Sequence, residues 1–282
     1  MPQLLEKLNT KLLIWILSGV LAAGLVVLIV LLCLKPASPA SQTLETTSPV
    51  PSRLDKNPFT AEDFVTDGQG FISCLAGEAR LGIDISGFQG AVDWDAVHAA
   101  GVEFVFIRVG GRGTTEGGLY ADDSARDYYD GAKKAGLQVG VYFFSQAITP
   151  KEAQEEALFV LDQIKGWKLD LPVVYDWEWV SEDSRTANMT SSLLTHCTEV
   201  FCQTVASAGL TPMIYFNYSQ GLELLDLNRL ADYPFWLALY EPYVKFPYRV
   251  DYWQYSCTGK IPGIEGDVDL NLFLPVPAEN IS

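Results

Sequence analysis

Strand-like and helix-like segments alternate along this chain from residue 80 onward, and this alternation restricts the folds that it can adopt. The strand-like runs are short, apolar and rich in β-branched and aromatic residues. They cover residues 80–85, 103–109, 138–144, 172–179, 212–217, 235–240, 252–255 and 268–273. Helix-like runs lie between the earlier strands, at residues 94–100, 123–135, 150–164 and 191–208.

Strands that alternate with helices form mostly parallel sheets. Eight of them predict an α/β fold, namely a TIM-like (β/α) barrel of about eight strands in which helices are reduced in the last third. An open doubly wound sheet is the alternative. We expect the barrel domain to span residues 80–275, with residues 58–79 as its N-terminal extension and residues 276–282 as a C-terminal tail.

The first 57 residues have a different composition. An apolar segment without any charged residue runs from Leu12 to Leu34. At about 1.5 Å per residue, a helix of this length spans roughly 30 Å, the hydrocarbon thickness of a bilayer. It predicts one transmembrane helix, after a short head (residues 1–11) and before a linker rich in Pro, Ser and Thr (residues 35–57). A cleaved signal peptide is the alternative, although its apolar region is usually about 7–15 residues long.

Charge and composition narrow the classes of function. The formal net charge of −16 argues against a nucleic-acid partner. With two histidines in the chain, a zinc site built on several histidines is hard to assemble, and we expect no metal or cofactor. The cysteines outside the apolar segment match no C-x-x-C motif, and we favour free thiols over disulfides because the domain is large enough to need none. They are Cys74, Cys197, Cys202 and Cys257.

Two acids follow a short apolar run, residues 173–175, that is typical of a buried strand. Residues 171–179 read Leu-Pro-Val-Val-Tyr-Asp-Trp-Glu-Trp. In a strand, Asp176 and Glu178 share one face, roughly 6.5–7 Å apart, while Trp177 points the other way. Carboxylates at the end of a buried strand are unfavourable unless they are paired, hydrogen-bonded or protonated. The pair is therefore a candidate catalytic site, and an edge strand with a solvated polar face is the alternative.

Further polar and aromatic residues fall at the ends of the other predicted strands. In a (β/α) barrel, chemistry takes place at the carboxyl ends of the strands. Asp84 and Asp269 are two more acids at strand ends, although each alone is also typical of a turn or a cap. Converging carboxylates among aromatic rings suit carbohydrate chemistry, since rings pack on sugars and paired acids transfer protons to a glycosidic oxygen. The candidate substrate-binding residues are Tyr142, Phe144, Tyr215, Trp236, Tyr240 and Gln254.

Several short motifs follow one another in a specific order. They are Gly82-Ile-Asp-Ile-Ser-Gly-Phe-Gln-Gly90, Val92-Asp-Trp94, Phe104-Val-Phe-Ile-Arg-Val-Gly110, Gly140-Val-Tyr142, Asp176-Trp-Glu178, Trp236-Leu-Ala-Leu-Tyr240, Trp253-Gln-Tyr255 and Val268-Asp-Leu-Asn271. Together they resemble glycoside hydrolase family 25, the Chalaropsis-type lysozymes, over about residues 80–274. Phe88 departs from this pattern, because many members have a polar residue or a histidine there.

The resemblance implies an N-acetylmuramidase that cleaves the β-1,4 bond from N-acetylmuramic acid to N-acetylglucosamine in peptidoglycan. It implies Glu178 as the general acid, Asp176 as the neighbour that assists it, and Asp84 and Asp269 as flanking acids. Because the two acids of one strand lie on the same side, a substrate-assisted route is expected, and inversion by a water held by Asp84 or Asp269 stays open.

The expected partners are peptidoglycan glycan strands and the membrane, through the N-terminal helix, with no obligate protein partner. The catalytic domain is then expected on the cell-wall side of the cell membrane. A wall-binding or scaffold protein that uses the same sugar groove without turnover is the main alternative, and a peptidoglycan peptidase or amidase is a further one.

Overall fold

Eight strands close into a barrel in the computed structural model, which describes residues 52–275. The described residues form eleven strands in all: β1 (Phe64–Thr66), β2 (Ile72–Cys74), β3 (Arg80–Ile85), β4 (Phe104–Arg112), β5 (Leu119–Ala121), β6 (Gln138–Ser145), β7 (Val173–Trp177), β8 (Pro212–Asn217), β9 (Phe235–Ala238), β10 (Tyr252–Gly259) and β11 (Val268–Phe273). The order around the barrel is β3-β11-β10-β9-β8-β7-β6-β4, and pairing of β4 with β3 closes it. The predicted barrel is confirmed.

Four helices lie between successive strands of the first part of the barrel. They are α1 (Trp94–Ala99), α2 (Ala125–Ala135), α3 (Pro150–Gln163) and α4 (Ser191–Ser207). Each was predicted, as was the lack of long helices in the last third. Local chemistry sets their limits: the Thr149 hydroxyl caps α3 by accepting the main-chain N–H of Glu152, and Gly136 ends α2 in the left-handed conformation.

The final strand reverses the direction of the sheet. Strands β3, β4 and β6 to β10 pair in parallel, whereas β11 is antiparallel to both β10 and β3. A short connection between β10 and β11 allows only an antiparallel pair, since a parallel one needs a long crossover. Two small elements were not predicted: the β1–β2 hairpin, and β5, which pairs with the outer end of β4.

The predicted strand at residues 172–179 ends earlier than expected. Strand β7 stops at Trp177, so Glu178 follows it rather than lying within it. Its pairing with both neighbouring strands stops at this point. The last residue pair between β6 and β7 is Ser145 with Trp177, and the last pair between β8 and β7 is Tyr215 with Asp176.

Aromatic rings fill the barrel interior. Side chains alternate along each strand between this interior and the layer beneath the helices. Gly82 and Gly140 leave room for two of the rings: a Cβ at Gly82 would lie 2.2 Å from the Phe104 ring, and one at Gly140 would lie 2.5 Å from the Phe106 ring. The interior core comprises Phe104, Phe106, Val174, Met213, Trp236 and Tyr252. These side chains plug the barrel beneath the polar groups at its carboxyl end.

Residues 52–57 lie against the opposite, N-terminal end of the barrel. The main-chain N–H of Asn57 donates to the Pro247 carbonyl, and that of Arg249 donates to the Asp55 carbonyl. Both partners, Pro247 and Arg249, belong to the connection that leads into the start of β10. The chain therefore enters the domain on the side away from the carboxyl ends of the parallel strands.

The predicted head, the transmembrane helix, most of the linker and the tail at residues 276–282 lie outside the described residues. Within residues 52–275, no helix has the length and apolar character needed to cross a membrane. The anchor at residues 12–34 stays a prediction. Cys74, Cys197, Cys202 and Cys257 are unpaired in the structure, with Cys257 exposed and the other three buried.

Candidate active site

The four acids singled out in the sequence line one cavity of about 290 Å³. Asp84 lies near the end of β3 and Asp176 near the end of β7, while Glu178 comes directly after β7. Asp269 lies near the start of β11, which reaches the same end of the barrel because β11 runs antiparallel. The closed barrel thus joins acids from both ends of the domain.

Asp84 and Asp269 face each other across a strand pair. They are direct partners in the antiparallel register of β3 and β11, where Cβ atoms lie about 4.5–5.5 Å apart. Burial raises the pKa of Asp84, and hydrogen bonds from amide groups oppose that rise. Burial, together with the Asp84 charge, raises the pKa of Asp269 to about 8. One negative charge for the two groups is therefore the stable arrangement near neutral pH.

Two amides fix that charge on Asp84. Its Oδ2 accepts hydrogen bonds from Gln254 Nε2 and from Asn271 Nδ2, each at 2.8 Å. Each amide has one orientation, because its oxygen accepts from other donors. Gln254 Oε1 accepts from the Tyr215 and Tyr240 hydroxyls, and Asn271 Oδ1 accepts from the Trp236 indole N–H. This network holds Asp84 as an acceptor in the wall of the cavity.

Asp176 and Glu178 form a second coupled pair. Burial raises the pKa of both carboxyl groups; the charges of Glu178 and Asp84 add to the rise for Asp176, while a hydrogen bond with Asp176 opposes it for Glu178. The pair therefore keeps a proton to higher pH than an exposed acid would. Asp176 is 5% exposed and its Oδ1 has no hydrogen-bond partner among the described residues, whereas Glu178 is half-buried. Of the two, Glu178 is the acid that a substrate can reach.

The raised pKa of Asp269 gives a prediction for stability. Its native pKa of about 8 exceeds the ordinary value of 3.8, so between these pH values the native state binds more protons than the unfolded state. The free energy of unfolding should therefore fall as pH rises from about 4 to 8, by at most about 1.4 kcal/mol per pH unit from this group. Urea unfolding of Asp269→Asn across this range should show a shallower fall than wild type. Parallel curves would contradict the shift.

All six candidate substrate-binding residues line the cavity. Their exposure differs. Trp236 is 1% exposed and its ring stacks on Phe106 at 4.7 Å between centroids, so it belongs to the cavity wall. Tyr240 is 55% exposed and offers a ring face to a ligand. Phe88, the departure from the family pattern, is 86% exposed at the rim, where the Arg108 guanidinium lies 4.9 Å from its ring centroid.

The sequence reasoning missed a cation and its partner. Arg108 lines the cavity and is ion-paired with Asp122, with Nε at 3.0 Å and Nη2 at 2.9 Å from Oδ2. The same oxygen of Asp122 accepts the main-chain N–H of Gly87, at the start of the loop that carries Phe88. A signal was present: an arginine in an apolar strand, two and four residues after the inward-facing Phe106 and Phe104. Asn271 had a similar signal, because it shares a strand face with Asp269.

A barrel that gathers paired carboxyl groups and aromatic side chains at the carboxyl ends of its strands has the site of a glycoside hydrolase. The comparison with family models agrees: residues 83–264 match Glycosyl hydrolases family 25. The chain belongs to this family, and it is a glycoside hydrolase.

Named relatives and a solved structure agree with this family assignment. The chain is 33% identical over 195 residues to the autolytic lysozyme of Clostridium acetobutylicum, with 68% of this chain and 55% of that protein covered. It is 30% identical over 202 residues to lysozyme M1 of Streptomyces globisporus, with 68% of this chain and 67% of that protein covered. A crystal structure of the bacterial lysozyme from Streptomyces coelicolor is similar at a TM-score of 0.57 and 28% identity, and the match covers 71% of this chain and 94% of that one. The chain thus spans about half the length of the autolytic lysozyme.

Proposed function

We propose that this protein is a peptidoglycan hydrolase that cleaves the β-1,4 bond between N-acetylmuramic acid and N-acetylglucosamine. The observation that carries the proposal is the coupled pair of Asp176 and Glu178, which keeps a proton inside a cavity lined by aromatic rings. The lysozymes among its relatives support the choice of substrate.

Glu178 is the general acid in this proposal. It donates its proton to the glycosidic oxygen as the bond to the anomeric carbon breaks, and its raised pKa keeps that proton available near neutral pH. The buried Asp176 beside it stabilises the proton on the pair before transfer. Asp84, held by its two amides, supplies a fixed negative charge that favours the positive charge developing on the sugar ring.

A substrate-assisted route fits this arrangement best. Asp176 and Glu178 are two residues apart, at the end of β7 and directly after it, and both line the same cavity, so neither is placed to attack the opposite face of the sugar from the other. The carbonyl oxygen of the substrate's N-acetyl group attacks the anomeric carbon instead, and Asp176 orients that amide through its N–H. Water then opens the cyclic intermediate, giving its proton to Glu178 and restoring the acid. The product keeps the β configuration.

Digestion of purified peptidoglycan tests the reaction. Mass spectrometry should find glycan fragments that end in N-acetylmuramic acid, with no new amino groups, and a chelator should leave the rate unchanged. NMR during the first minutes should show the β-anomer first. New amines would support a peptidase or amidase, binding without release of reducing ends would support the scaffold alternative, and an initial α-anomer would exclude the retaining route.

We also propose that the segment from Leu12 to Leu34 anchors the protein in the cell membrane, with the domain on the wall side. Its length and lack of charge support this placement. So does the entry of the chain at residues 52–57, away from the cavity. The full chain should stay with membranes after an alkaline carbonate wash, whereas a variant without residues 1–34 should be released. Release of both would refute the anchor.

A further inference from the structure

Glu178 lies beyond the sheet that carries it. No β-ladder pair of β7 extends past Trp177 on the β6 side or past Asp176 on the β8 side. The general acid nevertheless has to be held to within a fraction of an ångström of its productive position, at hydrogen-bond distance from the glycosidic oxygen. Something other than the ladder must therefore fix the main chain at Glu178 and, on the β8 side, at Trp177.

Gln146 supplies one such contact from the β6 side. It directly follows the last residue of β6, and it is fully buried. Its Nε2 donates to the Glu178 carbonyl at 2.7 Å and to the Ser145 carbonyl at 2.9 Å. Its Oε1 accepts from the Thr186 hydroxyl at 3.3 Å. Because a carbonyl can only accept and this hydroxyl donates, the amide has one orientation.

Gln220 supplies the matching contact from the β8 side. It is 3% exposed and opens the single π-helical turn Gln220–Leu224, which follows β8. Its Nε2 donates to the Trp177 carbonyl at 3.0 Å, and its Oε1 accepts the main-chain N–H of Asn217 at 3.0 Å. The orientation of this amide is fixed in the same way. Consecutive carbonyls of Trp177 and Glu178 are thus held from the two neighbouring strands.

We propose that Gln146 and Gln220 form a glutamine clamp that positions the general acid. Their side-chain amides take the place of main-chain N–H groups, since β6 ends at Ser145 and β8 continues to Asn217 without pairing with β7 beyond Tyr215. The clamp fixes the Glu178 peptide while leaving its carboxyl group free in the cavity, and the buried Trp177 ring anchors the peptide from the outer face of the barrel. This inference rests on the proposed role of Glu178.

The clamp has a kinetic signature. Neither glutamine lines the cavity, so substrate binding should change little when one is replaced. Gln146→Met keeps the length of the side chain but removes its donor, which frees the Glu178 peptide. We expect kcat to fall about 10- to 100-fold with KM nearly unchanged, because misplacement of a reacting group by about 1 Å is enough for such a loss. Gln220→Met should act in the same direction.

Gln146→Glu separates positioning from general structural support. When the introduced carboxyl is protonated, its O–H can donate to the Glu178 carbonyl; when it is ionised, it repels that carbonyl. The ratio of its kcat to that of Gln146→Met should therefore rise as pH falls. Glu178 is present in both variants, as are the charged groups that contact the main chain of residue 146, Glu156 and Arg185, so the ratio removes the titration that the two variants share.

Thr198→Val is the matched control for the loss of a buried side-chain hydrogen bond to a main-chain carbonyl. Thr198 is also fully buried and donates from its side chain to a main-chain carbonyl, that of Leu194 at 2.9 Å, but it lies in α4 and does not line the cavity. Gln146→Met with wild-type kcat, or a kcat ratio that does not change with pH, would overturn the clamp. A Glu178→Gln variant with wild-type activity would instead overturn the proposed function, so the two failures are distinguishable.

Discussion

Glu178→Gln should lower kcat for peptidoglycan digestion by about 1,000-fold, the range expected when a general acid is lost. The amide has nearly the size of the acid but no proton to donate to the leaving oxygen. The release of reducing ends from purified peptidoglycan measures the rate directly. Binding to the same material should persist, because the rest of the cavity is unchanged.

Glu182→Gln is the matched control for that variant. Glu182 lies four residues further along the same loop, is exposed and does not line the cavity. The same chemical substitution there should leave the rate at the wild-type level. If Glu178→Gln digests peptidoglycan as fast as Glu182→Gln does, Glu178 is not the general acid.

Asp84→Asn should lower activity without lowering stability. The oxygen of the introduced amide can accept from Gln254 and Asn271 as Asp84 Oδ2 does, and its NH₂ group can donate to Asp269. Because a buried charge is removed and the hydrogen bonds from Gln254 and Asn271 are kept, the melting temperature should stay the same or rise. The fixed negative charge near the reacting sugar is lost, so kcat should fall about 100-fold or more.

Calorimetry and the reducing-end assay on one preparation of Asp84→Asn measure both effects. Asp122→Asn is an informative comparison, because Asp122 is ion-paired with Arg108 and its replacement should lower the melting temperature. A large fall in melting temperature for Asp84→Asn, with activity reduced only in proportion to unfolded protein, would show that Asp84 serves the fold rather than the reaction.

The alternation of strands and helices was enough to predict the barrel and to place its strands. Because a barrel joins the first strand to the last, it also predicted that Asp84 and Asp269 meet; the structure makes them direct partners. The same pattern cannot show where a strand stops. Strand β7 ends at Trp177 where its pairing with β6 and with β8 stops, which is a property of three strands together.

Contacts between residues that are far apart in the sequence could not be predicted from the pattern either. Gln146 and Gln220 stand outside the apolar periodicity, and each looks like an ordinary polar residue after a strand. Their partners, the Glu178 and Trp177 carbonyls, lie 32 and 43 positions away. Arg108 is different, since a charged residue on the inward face of an apolar strand is a signal that can be read in advance.

The antiparallel pairing of β11 with β3 has a consequence for when the site forms during synthesis. Asp84 is among the first residues of the barrel to leave the ribosome, while Asp269 and Asn271 are among the last. Asp84 therefore lacks its Asn271 donor and its facing acid until the whole barrel has been translated. Pairing of such distant strands is a slow, late event in folding. The nascent chain thus has no complete site, and its activity begins only with closure of the barrel.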